Sequence, residues 1–372
     1  MRVEEAGRNR SLLIVHPAGV FFALAALMAV ALPWVWLLPL EDARLAHARL
    51  GLFGFGGMAI CGYIMTAQKA WTGRRFPTPA PFSGVLALGA RLACLGFPED
   101  FWPVLLLSLP VALMVLWPVL RGRRWDKAPL AMVPLMLVAA EAMLLDRPDL
   151  AGLLPEAMAA LIFVVGGRLV PSFLAEARRR RALAAPRRPP LWLGAILLGA
   201  GLLNEGFMGT LALLAAMLWV LARSFDGLRL GQANRMLCIG YAGLVPGLLA
   251  IGAARSGMVP HLVEVHVLTM ATMGPMILAV AARVTMRRMA GAELLPRRRH
   301  LAALGLVFGA AVARAFAELS GQAPIWLAVA GIGWSAAWLL FLSVHVPALP
   351  RPAPFPLLSA QRALRPADTP SR

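Results

Sequence analysis

The stretch Leu45–Gly73, LAHARLGLFGFGGMAICGYIMTAQKAWTG, decides how the rest of the chain is read. A histidine, His47, stands at its head, with Arg44 and Arg49 on either side. Behind it an apolar, glycine-rich run over 50–68 ends at Lys69 and Trp71, with Arg74 and Arg75 beyond. A bilayer core of about 30 Å is crossed by about 20 apolar residues of helix. An apolar run of this length closed by basic residues reads as a membrane span. Gly51, Gly54, Gly56, Gly57 and Gly62 keep side-chain bulk low along it. Small residues let membrane helices approach closely, and they equally make room for a flat macrocycle.

The rest of the chain is of the same kind. Of 372 residues 60% are hydrophobic, and the mean hydropathy is +0.73. Soluble domains are about 45–50% apolar even with glycine counted. Eleven further apolar runs fall at 18–38, 83–97, 101–120, 128–145, 151–174, 190–204, 206–222, 236–253, 262–285, 300–317 and 324–345. The third and seventh of the twelve are the shortest. The first is too long for a signal-peptide core and lacks a clear small-residue cleavage site, so it is expected to be a retained helix. The expected fold is therefore all-α, a polytopic bundle of twelve transmembrane helices over residues 1–346. A flexible tail rich in proline and arginine is expected over 347–372.

The loops test this count independently. The amino-terminal segment, the even-numbered loops and the tail hold 28 of the 36 basic residues. The sixth loop alone carries Arg178, Arg179, Arg180, Arg181, Arg187 and Arg188. The odd-numbered loops hold only Arg44, Arg49, Arg147 and Arg255, and collect Glu41, Asp42, Glu99, Asp100, Asp146, Asp149, Glu205 and Glu318. Lysine and arginine favour cytoplasmic loops, so both termini are expected in the cytoplasm of a bacterial inner-membrane protein. The same asymmetry explains the net charge of +18 without nucleic acid. No polar surface interleaves basic and aromatic residues as a nucleic-acid binder would. Cys61, Cys94 and Cys238 all lie in apolar runs, which excludes a disulfide framework.

Four arginines remain inside the spans: Arg91, Arg168, Arg283 and Arg314. Arg283 and Arg314 are placed to snorkel to an interface. A charge in hydrocarbon normally faces a partner or a cavity, so Arg91 and Arg168 are expected to be buried and paired, with Glu141 as one partner. Such a guanidinium is either a structural ion pair or a holder of a bound anion such as a haem propionate. Of the six histidines, His16, His300 and His345 fall at cytoplasmic helix ends, and His300 and His345 read as interfacial. His47, His261 and His266 fall towards the opposite side. His47 and His266 share a depth, as a metal or haem site between helices would require and as unrelated interfacial histidines also allow. His261 and His266, five residues apart, do not face one centre on one helix. Met270 and Met273 follow on the face of His266 and read as packing, and Glu264 reads either as a partner that orients a ligand histidine or as a solvated helix start.

Several motifs resemble those of the NnrS family, bacterial membrane proteins with twelve predicted helices. Ala46-His47-Ala48-Arg49-Leu50-Gly51-Leu52-Phe53-Gly54-Phe55 is similar to the family's W-H-A-H-E-M-L-F-G-F. The TAQKAWTG that follows, Gly166-Gly167-Arg168 with Pro171 and Phe173, and His266-Val267-Leu268-Thr269 with Gly274 and Arg283-Val284 continue the likeness in order. The resemblance implies a haem- and copper-containing protein of the nitric oxide response. It carries His47 and His266 over as candidate ligands and Arg168 as a polar intramembrane position; should those histidines not be the ligands, His261, His16 and Cys238 are the next candidates. Four departures stand out. Arg49 replaces the second histidine of the H-A-H stretch, and Leu50 replaces its glutamate. Cys238 stands where a histidine precedes the Gly-Tyr step, and a G-H-T-G-R step is absent at 287–291. They suit a member that holds haem without copper, or neither.

The expected function is thus a haem-binding membrane protein that meets nitric oxide or another small gas in the lipid bilayer. A multi-pass transporter or a membrane assembly or sensor protein is the alternative. No His-His pair occurs, which excludes a haem-copper oxidase centre. No nucleophile with a base, phosphate loop or paired-carboxylate site is evident, and an enzymatic activity is not assigned.

Overall fold

The computed structural model describes residues 16–73, 80–184, 186–288, 294–320 and 322–350. The protein is all-α. Among the described residues ten helices are long and apolar enough to cross a membrane: α1 (Pro17–Leu37), α2 (Ala43–Gln68), α4 (Val104–Arg121), α5 (Trp125–Asp146), α6 (Pro148–Arg180), α8 (Phe207–Arg229), α9 (Gln232–Arg255), α10 (His261–Ala282), α11 (Arg298–Leu319) and α12 (Ala323–Ala348). Two shorter apolar helices, α3 (Phe82–Gly96) and α7 (Leu191–Leu203), fill the third and seventh places. Each expected span coincides with one of these helices. Between α10 and α11 the chain makes a two-residue antiparallel pairing, Arg287–Arg288 against Leu294–Leu295. The expected tail lies outside the described residues from position 351 onward.

Helix starts follow local chemistry. Pro17 opens α1, where its missing N–H costs nothing, and His16 Nδ1 accepts the Ala18 N–H at 3.2 Å. Asp42 caps α2 by accepting the Leu45 N–H at 2.8 Å, a first-turn acceptor of the preferred type. Three stretches are π-helical: Leu50–Gly57 in α2, Val104–Ser108 in α4 and Val267–Met273 in α10.

Packing decides between the two readings of the α2 glycines. A Cβ at Gly62 would meet the Phe22 ring at 3.2 Å, one at Gly54 would meet Met28 at 3.3 Å, and one at Gly56 would meet Met273 Sδ at 3.2 Å. The space beside Gly54, Gly56 and Gly62 is occupied by α1 and α10, so close helix approach is the role of these three. The pairs Gly62–Phe22 and Gly54–Met28 run α2 antiparallel to α1. α12 also lies antiparallel to α1: His345 reaches the Gly19 carbonyl at 2.9 Å, while Trp334 Nε1 donates to the Ala29 carbonyl at 2.9 Å. The described start of α1 and the end of α12 therefore share one end of the bundle.

Three sequence expectations change. His300 and His345 are fully buried rather than interfacial. Arg283 is also buried, with Nη1 donating to the Ala233 carbonyl at 3.2 Å and its guanidinium 4.2 Å from the Phe173 ring centre. Arg168 is exposed on α6 instead of buried, and no hydrogen bond or ion pair holds it among the described residues.

Candidate functional site

Four helices converge where α2 and α10 begin. His47 sits in the second turn of α2, half-buried, and its Nδ1 lies 3.2 Å from the Leu32 carbonyl of α1. The Trp36 ring packs on the imidazole at 5.2 Å, tilted by 36°. His266, also half-buried, puts Nδ1 2.9 Å from the Leu262 carbonyl one turn back in α10. The two imidazoles are within electrostatic reach of each other and of Arg314 on α11. The Arg314 guanidinium is paired with Glu318 at 2.5 Å.

A backbone carbonyl accepts only, so each Nδ1 carries the proton and each Nε2 carries a lone pair. Neither Nε2 has a hydrogen-bond partner among the described residues. An imidazole anchored through one nitrogen and open at the other is the usual form of a metal-ligating histidine. The widened π-helical turns of α2 and α10 begin within three residues of His47 and directly after His266. Such turns recur at functional sites.

The other expected residues lie elsewhere. His261 is exposed and held by Glu264 Oε2 at 3.0 Å, with its Nε2 against Gly152. His16 caps the far end of α1, about 24 Å along the helix from Leu32 at 1.5 Å per residue. Arg168 interacts electrostatically with Tyr63, which is about 24 Å along α2 from His47 by the same rise. Cys238 is buried and fills the hollow over Gly227 beside Leu174. Among the described residues no three His, Cys, Asp or Glu side chains are grouped to hold a metal ion.

Gly166 and Gly167 precede Arg168 for a packing reason. A Cβ at Gly166 would fall 2.4 Å from the Tyr241 ring, and one at Gly167 would fall 2.9 Å from Trp219. Tyr241 Oη donates to the Phe163 carbonyl at 2.9 Å. Nearby, α1, α2, α6 and α10 line an apolar pocket of about 80 Å³ that includes Phe22, Gly56, Tyr63, Met158, Met273 and Met276. Met273 is thus a packing and cavity-lining residue, while Met270 packs half-buried on the core.

Sequence reasoning missed Trp36, the Leu32 carbonyl and the nearness of Arg314 to both histidines. Only Arg314 carried a signal, as an arginine about one turn from the end of an apolar run. It also missed Arg49, which is 1% exposed and bonded to Glu141 at 3.1 Å, as Arg91 is at 2.8 Å. The family model described as NnrS protein matches residues 17–353. No curated protein matches the chain.

Proposed function

The chain belongs to the NnrS family, and from that premise we propose that it is a haem-binding membrane protein of the nitric oxide response, in which His47 and His266 would hold the haem. One observation carries this reading: both imidazoles are anchored through Nδ1 to carbonyls, with both Nε2 lone pairs uncommitted, within electrostatic reach of one another. When bound, haem supplies one-electron redox chemistry and an iron able to bind a small gas.

The chain's own groups have definite tasks in this reading. The Leu32 and Leu262 carbonyls fix the tautomer and the ring orientation of each imidazole. Trp36 covers one face of His47. Arg314, near both imidazoles, is the guanidinium suited to a cofactor carboxylate. The apolar pocket between α1, α2, α6 and α10 suits a small uncharged gas, which needs no hydrogen-bond partner there. The loop charges further support a bacterial inner membrane, with this site facing the periplasm and both chain ends in the cytoplasm.

Absorption spectra of the purified full chain, oxidised and reduced, test the reading. A Soret band with redox-sensitive visible bands is expected. His47→Ala and His266→Ala should each abolish or shift those bands while membrane insertion stays intact. Wild-type spectra in both variants would move the ligands elsewhere. A wild-type protein without a Soret band, made in haem-replete cells, would end the haem reading.

A further inference from the structure

Helices α2–α5 enclose a second polar cluster that the haem reading leaves unused. Glu141 of α5 stands between two guanidiniums. Its Oε1 accepts from Arg49 Nε at 3.1 Å and from Arg91 Nη1 at 2.8 Å, and its Oε2 accepts from Arg91 Nη2 at 2.9 Å. Arg49 also donates to the Pro98 carbonyl at 2.5 Å and to Cys94 Sγ at 2.8 Å. Arg91 Nη2 donates to Ser108 Oγ at 2.5 Å. Arg49, Arg91 and Glu141 are 1%, 4% and 1% exposed. Two full positive charges therefore meet one carboxylate, and no second carboxylate bonds to either arginine among the described residues. An uncompensated charge away from water is costly.

A cavity of about 50 Å³ opens beside this cluster, lined by Arg91, Ser108 and Glu141 together with Phe21, Gly57 and Cys61. One water takes about 30 Å³ of liquid, so the space suits a single small ion. Its polar wall offers donors. A guanidinium has five N–H groups, and Arg91 engages three of them with Glu141 and Ser108. Its Nε–H and one Nη1–H have no partner among the described residues. Ser108 Oγ accepts from Arg91, and its own O–H has no acceptor among them. Glu141 lines the same cavity, but both its oxygens are turned to guanidiniums.

We propose that this cavity binds one small monovalent anion of halide size, held by Arg91 and Ser108 and balancing the surplus charge of the Arg49–Glu141–Arg91 cluster. The site stands apart from His47 and His266 and does not depend on haem.

Chloride is the probe. Radioactive chloride binding and thermal unfolding are measured on the full chain in detergent, with gluconate holding ionic strength constant. Wild-type protein should bind about one chloride per chain saturably and unfold at higher temperature as chloride replaces gluconate. Arg91→Leu should abolish binding. Arg49→Leu, which leaves a balanced Arg91–Glu141 pair, should weaken it at least tenfold, and Ser108→Ala several-fold. His47→Ala should leave it unchanged. Monodisperse wild-type protein without saturable binding overturns the site, as does wild-type affinity in Arg49→Leu. Rapid alkylation of Cys94 by a membrane-permeant maleimide at neutral pH also overturns it, by making a thiolate the balancing charge.

Discussion

Arg49 stands two residues from His47 and serves a different centre. The helix turns it by about 200°, away from Trp36 and the Leu32 carbonyl and into the cluster with Glu141 and Arg91. The Arg91–Glu141 pair was legible, because charges inside apolar runs seek partners. Arg49 was not, because the loop count placed it outside the membrane. Asp42 was the missed signal: as an N-cap it starts the helix at Ala43 and puts Arg49 two turns inside. Glu141→Gln leaves two buried guanidiniums without their counter-charge. It should destabilise the fold by about 3–5 kcal/mol, the range for breaking a buried pair from one side, read as a fall in thermal midpoint and in folded yield. Arg168 is the opposite case. With no hydrogen bond or ion pair among the described residues, Arg168→Leu should leave yield and thermal midpoint unchanged. A clear fall in either would reveal a contact made in the bilayer.

At the scale of elements, spacing showed where helices run but not what fills the space beside them. The α2 glycines allowed two explanations from sequence, and only the partners Phe22, Met28 and Met273 separate them. The Gly166-Gly167 pair likewise reads as generic until Tyr241 is seen lying across it. A methyl group at Gly166 must displace the Tyr241 ring, whose nearest atom would be 2.4 Å away. Gly166→Ala should therefore lower the thermal midpoint, and Tyr241→Leu in the same chain should recover part of the loss by freeing the space. If the double variant is no better than the single one, the clash lies elsewhere. Tyr241→Phe, which removes only the bond to the Phe163 carbonyl, should cost about 1 kcal/mol. The π-helical turns were not legible, since an extra residue in a turn leaves no mark on an apolar run.

For the whole molecule, loop charge was the most informative feature of the sequence, because orientation in a membrane follows where arginine and lysine collect. The antiparallel contact of α1 with α12 agrees with an even number of crossings. Reporter fusions at either chain end, or within the Arg178–Arg188 loop, should be active only in the cytoplasm. Periplasmic activity at any of these places would overturn the proposed orientation. The common depth of His47 and His266 followed from this topology. Their neighbourhood did not, since α1, α2, α10 and α11 are far apart in the chain and their contacts depend on side-chain shape.

The α1–α12 contact also has a consequence in time. Trp34 Nε1 donates to Ser335 Oγ at 2.9 Å across 301 residues of chain. At synthesis rates of about 5–20 residues per second, that face of α1 waits on the order of 15–60 s for its partner. α1 is thus completed by a helix made about 300 residues later. A nascent chain arrested before Ala323 should remain open along this seam and be degraded faster than the finished protein in a pulse-chase experiment. Co-expression of α12 as a separate segment should restore its lifetime.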